Sequence, residues 1–143
     1  MARKKYDIVV IGGGPGGYVA AIRGAQLGMS VAVVEEKHLG GICLNWGCIP
    51  TKAMLKSAEV FSTLTKADHY GIVAENVSFD LQKIINRSKT IAGRLSSGVK
   101  HLLDKHKVTI FDGIGAIKDH KVVSVEYANS KEDINNRPSA IIT

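Results

Sequence analysis

The chain has 143 residues, 45% of them hydrophobic, and its 19 lysines and arginines against 13 acids give a formal net charge of +6. With a mean hydropathy of +0.05, it has enough apolar material to bury the core of one ordinary domain, which excludes wholesale disorder and low complexity. The longest uncharged apolar stretch, Ile8 to Ile22, contains five glycines and a proline; a bilayer span needs ~20 apolar residues, so no membrane segment is expected.

The start, Met1 to Asp7, carries a basic cluster that runs straight into a strand and a glycine-rich turn. That is not a secretory signal, and a cytoplasmic protein is expected. Tyr6 to Ile11 is an apolar run of strand length that does not alternate, as burial on both faces of a parallel sheet requires. Gly16 to Leu27 reads as a helix with Gly28 as its stop, and Ser30 to Val34 as a second buried strand ending on Glu35. Strand, turn, helix and strand in this order make a right-handed parallel βαβ unit. A glycine loop, Leu39-Gly40-Gly41, leads into a segment with both cysteines.

Helices are expected over Pro50 to Lys66 and Leu81 to His106, joined by a less regular stretch. From Lys83 to Lys107 there are seven Lys or Arg against one acid, Asp104, and Ile84, Ile91, Leu95, Val99 and Leu102 share one helical face. No aromatic side chains interleave with these charges, so the expectation is a solvated basic face and no nucleic-acid partner, although a basic binding module stays open as an alternative. Three short strands follow, Val108–Phe111, Ile114–Lys118 and Val122–Tyr127, as a small meander. Asn129 to Pro138 reads as a polar turn region, and Ala140 to Thr143 as a strand that the chain leaves unfinished, which suggests a longer parent.

Two motifs carry chemistry. Gly12, Gly14 and Gly17 form G-x-G-x-x-G between a strand and a helix, and Glu35 lies 18 positions past the last glycine. This is the context a dinucleotide fingerprint requires: Gly12 for the tight turn, Gly14 for close approach of backbone N–H groups to a pyrophosphate, Gly17 for close packing of the helix, and Glu35 for a ribose hydroxyl. The second motif is Cys43-Leu44-Asn45-Trp46-Gly47-Cys48. Buried thiols, a structural disulfide and a redox pair are all open readings. In an ideal helix, positions five apart diverge by about 140°, so a bridge needs an irregular backbone, which Gly47 can provide. A loop of about six residues gives an entropic gain of only roughly 2 kcal/mol, a poor staple and a good reducible bond. Pro50 belongs in the first turn of a helix, which sets Cys48 at or near its N-terminus with Lys52 one turn on. Both favour a thiolate there.

Following the dinucleotide fingerprint, the run from Leu39 to Lys52 (LGGICLNWGCIPTK) resembles the active-site segment of the flavin disulfide reductases, and its Leu44-Asn45 and Ile49-Pro50 wording resembles the dihydrolipoamide dehydrogenase branch more than the glutathione or mercuric reductase branches. The resemblance implies an α/β, Rossmann-like FAD-binding domain over residues 1–143, with a parallel sheet and a β-meander. Nicotinamide-binding and interface domains would follow in complete members. It implies FAD held by Gly12, Gly14, Pro15, Gly16, Gly17, Glu35, Gly41 and Gly115, with Cys48 against the flavin, Cys43 exchanging with substrate and bordering the cofactor, and Lys52 near flavin N5. It further implies NAD as the final acceptor, a homodimeric parent, and a lipoyl-bearing acyltransferase of a 2-oxoacid dehydrogenase complex as partner. A His-Glu pair would come from a partner subunit, so His38, His69, His101, His106 and His120 are expected to be solvated, Trp46 to be local packing, and the 143 residues alone to show no NAD-linked turnover. No metal site is expected. A nicotinamide-binding domain without flavin remains the rival enzyme reading, and a visible flavin absorbance band separates the two.

Overall fold

In the computed structural model, residues 3–127 and 139–142 are described, and they divide into two compact units. The first comprises residues up to Gly41 and from Ser96 onward, the second Ile42–Leu95.

The first unit is organised by a six-stranded sheet. Its strands in chain order are β1 (Arg3–Lys4), β2 (Ile8–Ile11), β3 (Val31–Glu35), β4 (Thr109–Asp119), β5 (Val122–Tyr127) and β6 (Ser139–Ile142), and its spatial order is β1-β6-β5-β4-β3-β2. β2 and β3 are parallel, Ile8 opposite Val31 through Ile11 opposite Val34, and are joined by helix α1 (Pro15–Gln26). The expected βαβ unit is therefore present. Val31 to Val34 are all buried, as the unbroken apolar run demands. At the edge where the chain enters, the Asp7 carboxylate accepts hydrogen bonds from both the backbone N–H (2.7 Å) and the hydroxyl (2.6 Å) of Ser30, pinning the starts of β2 and β3 together.

The stretch read from sequence as two strands is one. β4 runs through Asp112-Gly113 without a turn: Thr109 to Asp112 pair parallel with β3, and Gly113 to Asp119 pair antiparallel with β5. Gly113 stands at the change of partner because a Cβ there would run into the carbonyl oxygen of Glu126. Phe111, Val34, Ala32 and Val125 form a core cluster under this seam, with Tyr6 packed edge-on against Phe111 at 6.1 Å between ring centroids. β6 pairs antiparallel with β5 and parallel with β1, so the apolar run at 140–142 is a strand as expected. The polar turn expected at 129–138 lies outside the described residues.

The second unit is helical. Helix α2 (Gly41–Asn45) enters it, and α3 (Cys48–Leu64), a short 3-10 turn (Ala67–Tyr70) and the first half of α4 (Leu81–Lys105) follow. α3 and α4 are tied by Arg87, whose guanidinium donates to the Ala53 carbonyl at 2.8 Å, and Phe61 of α3 meets Phe79, in the segment before α4, edge to face at 5.6 Å. The seven basic residues between positions 83 and 107 are all exposed. The apolar face expected on α4 is only partly the buried one. Ser88, Ala92, Val99 and Leu103 are buried, whereas Leu95 and Leu102 stand exposed.

Candidate functional site

The glycine turn sits at the C-terminal end of β2. Gly12 has φ +98°, a conformation open to glycine and costly to other residues, and its N–H donates to the Val34 carbonyl (2.8 Å). At Gly17 a Cβ would collide with the carbonyl oxygen of Gly12, so only glycine lets α1 begin this close to the strand. At Gly16 the corresponding space is open, and at Gly14 the nearest atom, the Gly41 Cα, is 4.0 Å away. α1 starts with Pro15 in its first turn, with no side-chain cap on Gly14 and no acidic residue in that turn. A helix N-terminus left this way presents backbone N–H donors and the positive end of its dipole to an incoming anion.

Glu35, expected from sequence to accept from a ribose hydroxyl, ends β3 and is engaged by backbone N–H groups. Its Oε2 accepts the Gly13 N–H at 2.7 Å, and its Oε1 accepts the N–H groups of Lys37 (2.9 Å) and His38 (3.2 Å). A carboxylate offers about four lone-pair sites, and Glu35 uses them to hold the two loops on either side of it. The loop after it folds back on the turn. Gly40 N–H donates to the Gly13 carbonyl (2.8 Å), and Gly41, at φ +58°, lies so close to Gly14 that an added Cβ would stand 2.9 Å from the Gly14 Cα. Beside Glu35 opens a cavity of about 550 Å³ lined by Lys37, His38, Leu39, Ser96, Lys100 and Asp112. Gly115 lies in β4 with Ile11 and Val34 where a side chain would be (3.3 and 3.2 Å), next to the residue that precedes the turn.

Gly13 and Ser96 were not singled out from sequence. Gly13 is an unassigned position of the fingerprint, yet its N–H and carbonyl are both used and a Cβ there would press on Leu39 Cδ2 at 2.9 Å. Ser96 donates its hydroxyl to the Leu39 carbonyl at 2.7 Å across a separation of 57 residues. A triple glycine hints at the first. Nothing local announces the second.

The cysteine segment belongs to the helical unit. Cys43 lies in α2, a single helical turn where an irregular backbone was expected, and Cys48 is the first residue of α3. The break between them is at Gly47 (φ −115°, ψ −108°), which folds under the end of α2: a Cβ there would meet the Ile42 carbonyl oxygen at 3.1 Å and the Cys43 Cα at 3.5 Å. Ile42 O accepts from both Trp46 and Gly47 N–H (2.9 and 2.7 Å), closing the turn. This geometry turns two residues that would diverge on one helix toward each other. Both are free thiols, Cys43 half-buried and Cys48 exposed. A hydrogen bond with the Cys48 thiol, lost hydration and the charge of Cys48 hold the Cys43 thiol above its ordinary range, while the Cys48 backbone N–H and the Lys52 ammonium act the other way. Cys48 stands at the positive end of a 17-residue helix. Trp46, expected to pack locally, is 57% exposed. Among the described residues, His106 is partly buried and the other four histidines are exposed. No cluster of three or more His, Cys, Asp or Glu suited to a metal ion occurs among them, and none of the helices is long and apolar enough to cross a membrane.

The chain thus carries a glycine turn whose helix start has no side-chain cap and, in its other unit, a facing cysteine pair. The family model described as pyridine nucleotide-disulphide oxidoreductase matches residues 6–135. The chain belongs to this family. Similar family members include dihydrolipoyl dehydrogenases from Zymomonas mobilis (53% identical over 96% of this chain and 29% of the relative), Bacillus subtilis (43%, over 96% and 31%) and Mycobacterium tuberculosis (46%, over 96% and 30%). The chain thus spans about a third or less of the length of these pyridine nucleotide-disulphide oxidoreductases.

Proposed function

We propose that this chain is the FAD-binding, redox-disulfide part of a dihydrolipoyl dehydrogenase, which oxidises protein-bound dihydrolipoyl groups and passes the electrons to NAD. FAD fits the residues present: the open faces of Gly14 and Gly16, the uncapped start of α1 and the cavity beside Glu35 suit a diphosphate flanked by an adenosine. On this reading the backbone of Gly12 to Gly17 holds the diphosphate, the Glu35 carboxylate takes a ribose hydroxyl, and Gly41 and Gly115 supply backbone contacts. Lys52 and Cys43 border the cofactor as the resemblance implies. When bound, FAD supplies the acceptor through which the electron pair reaches NAD.

The observation that carries the reading is the Cys43–Cys48 pair, facing across the Gly47 turn. In the oxidised state these sulfurs form one disulfide. A dihydrolipoyl thiolate attacks Cys43 Sγ, a mixed disulfide forms, and Cys48 leaves as a thiolate where the start of α3 and Lys52 stabilise it. The second substrate thiol then displaces Cys43, which departs with a proton. The products are a cyclic lipoyl disulfide and a reduced pair, so two electrons have entered the protein. The partner is a lipoyl-bearing acyltransferase of a 2-oxoacid dehydrogenase complex, and the working enzyme is a homodimer.

The test is anaerobic reduction of the oxidised protein. Dihydrolipoamide is expected to convert the pair to two alkylatable thiols with bleaching of a visible flavin band, and NAD to restore that band. Reduction by glutathione with no response to dihydrolipoamide overturns the substrate assignment, and a protein that takes up no FAD overturns the flavin reading.

A further inference from the structure

One peptide group in the first unit is held at both ends. The plane joining Leu39 to Gly40 gives its N–H to the Gly13 carbonyl at 2.8 Å, and its own carbonyl receives the Ser96 hydroxyl at 2.7 Å. The C=O and N–H of a trans peptide point in opposite directions from one rigid plane, so each bond fixes the direction of the other. Gly40 has φ +91°, and glycine passes to negative φ without steric penalty. No side chain at position 40 therefore resists rotation of this plane, and a rotated plane turns the N–H away from Gly13. The consequence spreads, because Gly13 is also the donor to Glu35 Oε2, and linked hydrogen bonds polarise one another. Ser96 lies on α4, whose Val99 and Leu103 are buried, so its hydroxyl is presented from a fixed helix.

We propose that Ser96 is a positioning residue for the dinucleotide cradle: its hydroxyl selects the orientation of the 39–40 peptide that keeps the loop from Glu36 to Gly41 closed on the glycine turn. The effect on ligand binding rests on the FAD reading above; the effect on the peptide does not. Because it acts on a hydrogen-bond direction, Ser96→Ala removes it and Ser96→Thr keeps it.

Amide hydrogen exchange of the ligand-free protein, read at Gly40 and Gly13, tests the lock directly. Titration with ADP, which carries the diphosphate and adenosine, tests its use. In Ser96→Ala the Gly40 and Gly13 amides are expected to exchange several-fold faster while those of Val99 and Leu103 keep their protection. The ADP affinity is expected to fall roughly three- to tenfold, the range for loss of one neutral hydrogen bond, and Ser96→Thr to restore both. Unchanged exchange at Gly40 overturns the proposal. So does faster exchange with unchanged ADP affinity, or protection lost equally along α4, which marks a merely structural hydroxyl. A wild-type protein that binds neither ADP nor FAD overturns the FAD reading instead, and exchange at Gly40 still decides whether Ser96 orients the peptide.

Discussion

On the proposed reading, the groups offered to a ligand in the sheet unit are backbone N–H donors at the start of α1, held in place by a glutamate, a serine and close glycine contacts. In the helical unit they are two sulfur atoms on consecutive helices, set facing by one turn at Gly47. The sheet unit sinks Val33, Val34, Leu103 and Val125 almost completely, whereas the helical unit leaves Met54, Leu55, Val60 and Leu64 exposed on α3. A cradle made of backbone cannot be altered without altering the fold, since its atoms are the fold's own. Sulfur chemistry carried on side chains is separable from stability. The two sites should therefore fail in opposite ways.

Ranked by effect on folding stability, the largest change is expected from Gly17→Val, which forces α1 away from the Gly12 carbonyl. A loss of about 3 kcal/mol, typical of severe overpacking, should accompany loss of FAD binding, checked by urea denaturation and flavin titration. Glu35→Ala frees the N–H groups of Gly13, Lys37 and His38 together; a charged hydrogen-bond acceptor of this kind is worth about 2 kcal/mol, and FAD affinity should fall with it. A pH scan isolates a smaller contribution. Its bonds to Ser30 hold Asp7 below its ordinary 3.8. The folded state thus favours the carboxylate, giving stability that is complete above about pH 5 and lost as the pH falls through the lowered value. Asp7→Asn should flatten the thermal-stability profile over that acid range, lying below wild type near neutrality, where the carboxylate contributes fully, and meeting it at low pH. The smallest change in stability, within about 0.5 kcal/mol as for most surface substitutions, is expected from Cys48→Ser, which nevertheless abolishes dithiol exchange. A Cys48→Ser protein as unstable as Gly17→Val would erase the contrast between the units.

Legibility in the sequence follows the same division. The run at Val31–Glu35 announced a buried parallel strand because two-sided burial leaves no polar alternation, and the glycine spacing announced the turn between strand and helix. Ile8–Ile11, expected to be buried in the same way, is parallel but lies at the sheet edge, half-buried and with Ile11 exposed. β4 was misread because Asp112-Gly113 has the composition of a turn, while here the glycine lets one strand change neighbours against Glu126. α2 is too short to show a helical period. On α4 the buried positions are Ser88, Ala92, Val99 and Leu103, of which the expected apolar face contains only Val99, because a serine and an alanine carry no apolar signal to mark an inward face. The reach from Ser96 to Leu39 depends on tertiary structure alone, and no pattern of spacing encodes a bond across 57 residues.

The pairing of β3 with β4 has a consequence for how such a chain changes over time. These strands are neighbours in the sheet, Ala32 opposite Thr109, yet the whole helical unit lies between them in the chain. Topologically, Ile42–Leu95 is an insertion carried in a crossover, with its entry and exit both anchored to the unit that contains the glycine turn. An inserted segment of this kind can acquire, lose or exchange its side chains while the host sheet keeps its register, so on the proposed reading reaction type and nucleotide binding are free to evolve on separate clocks.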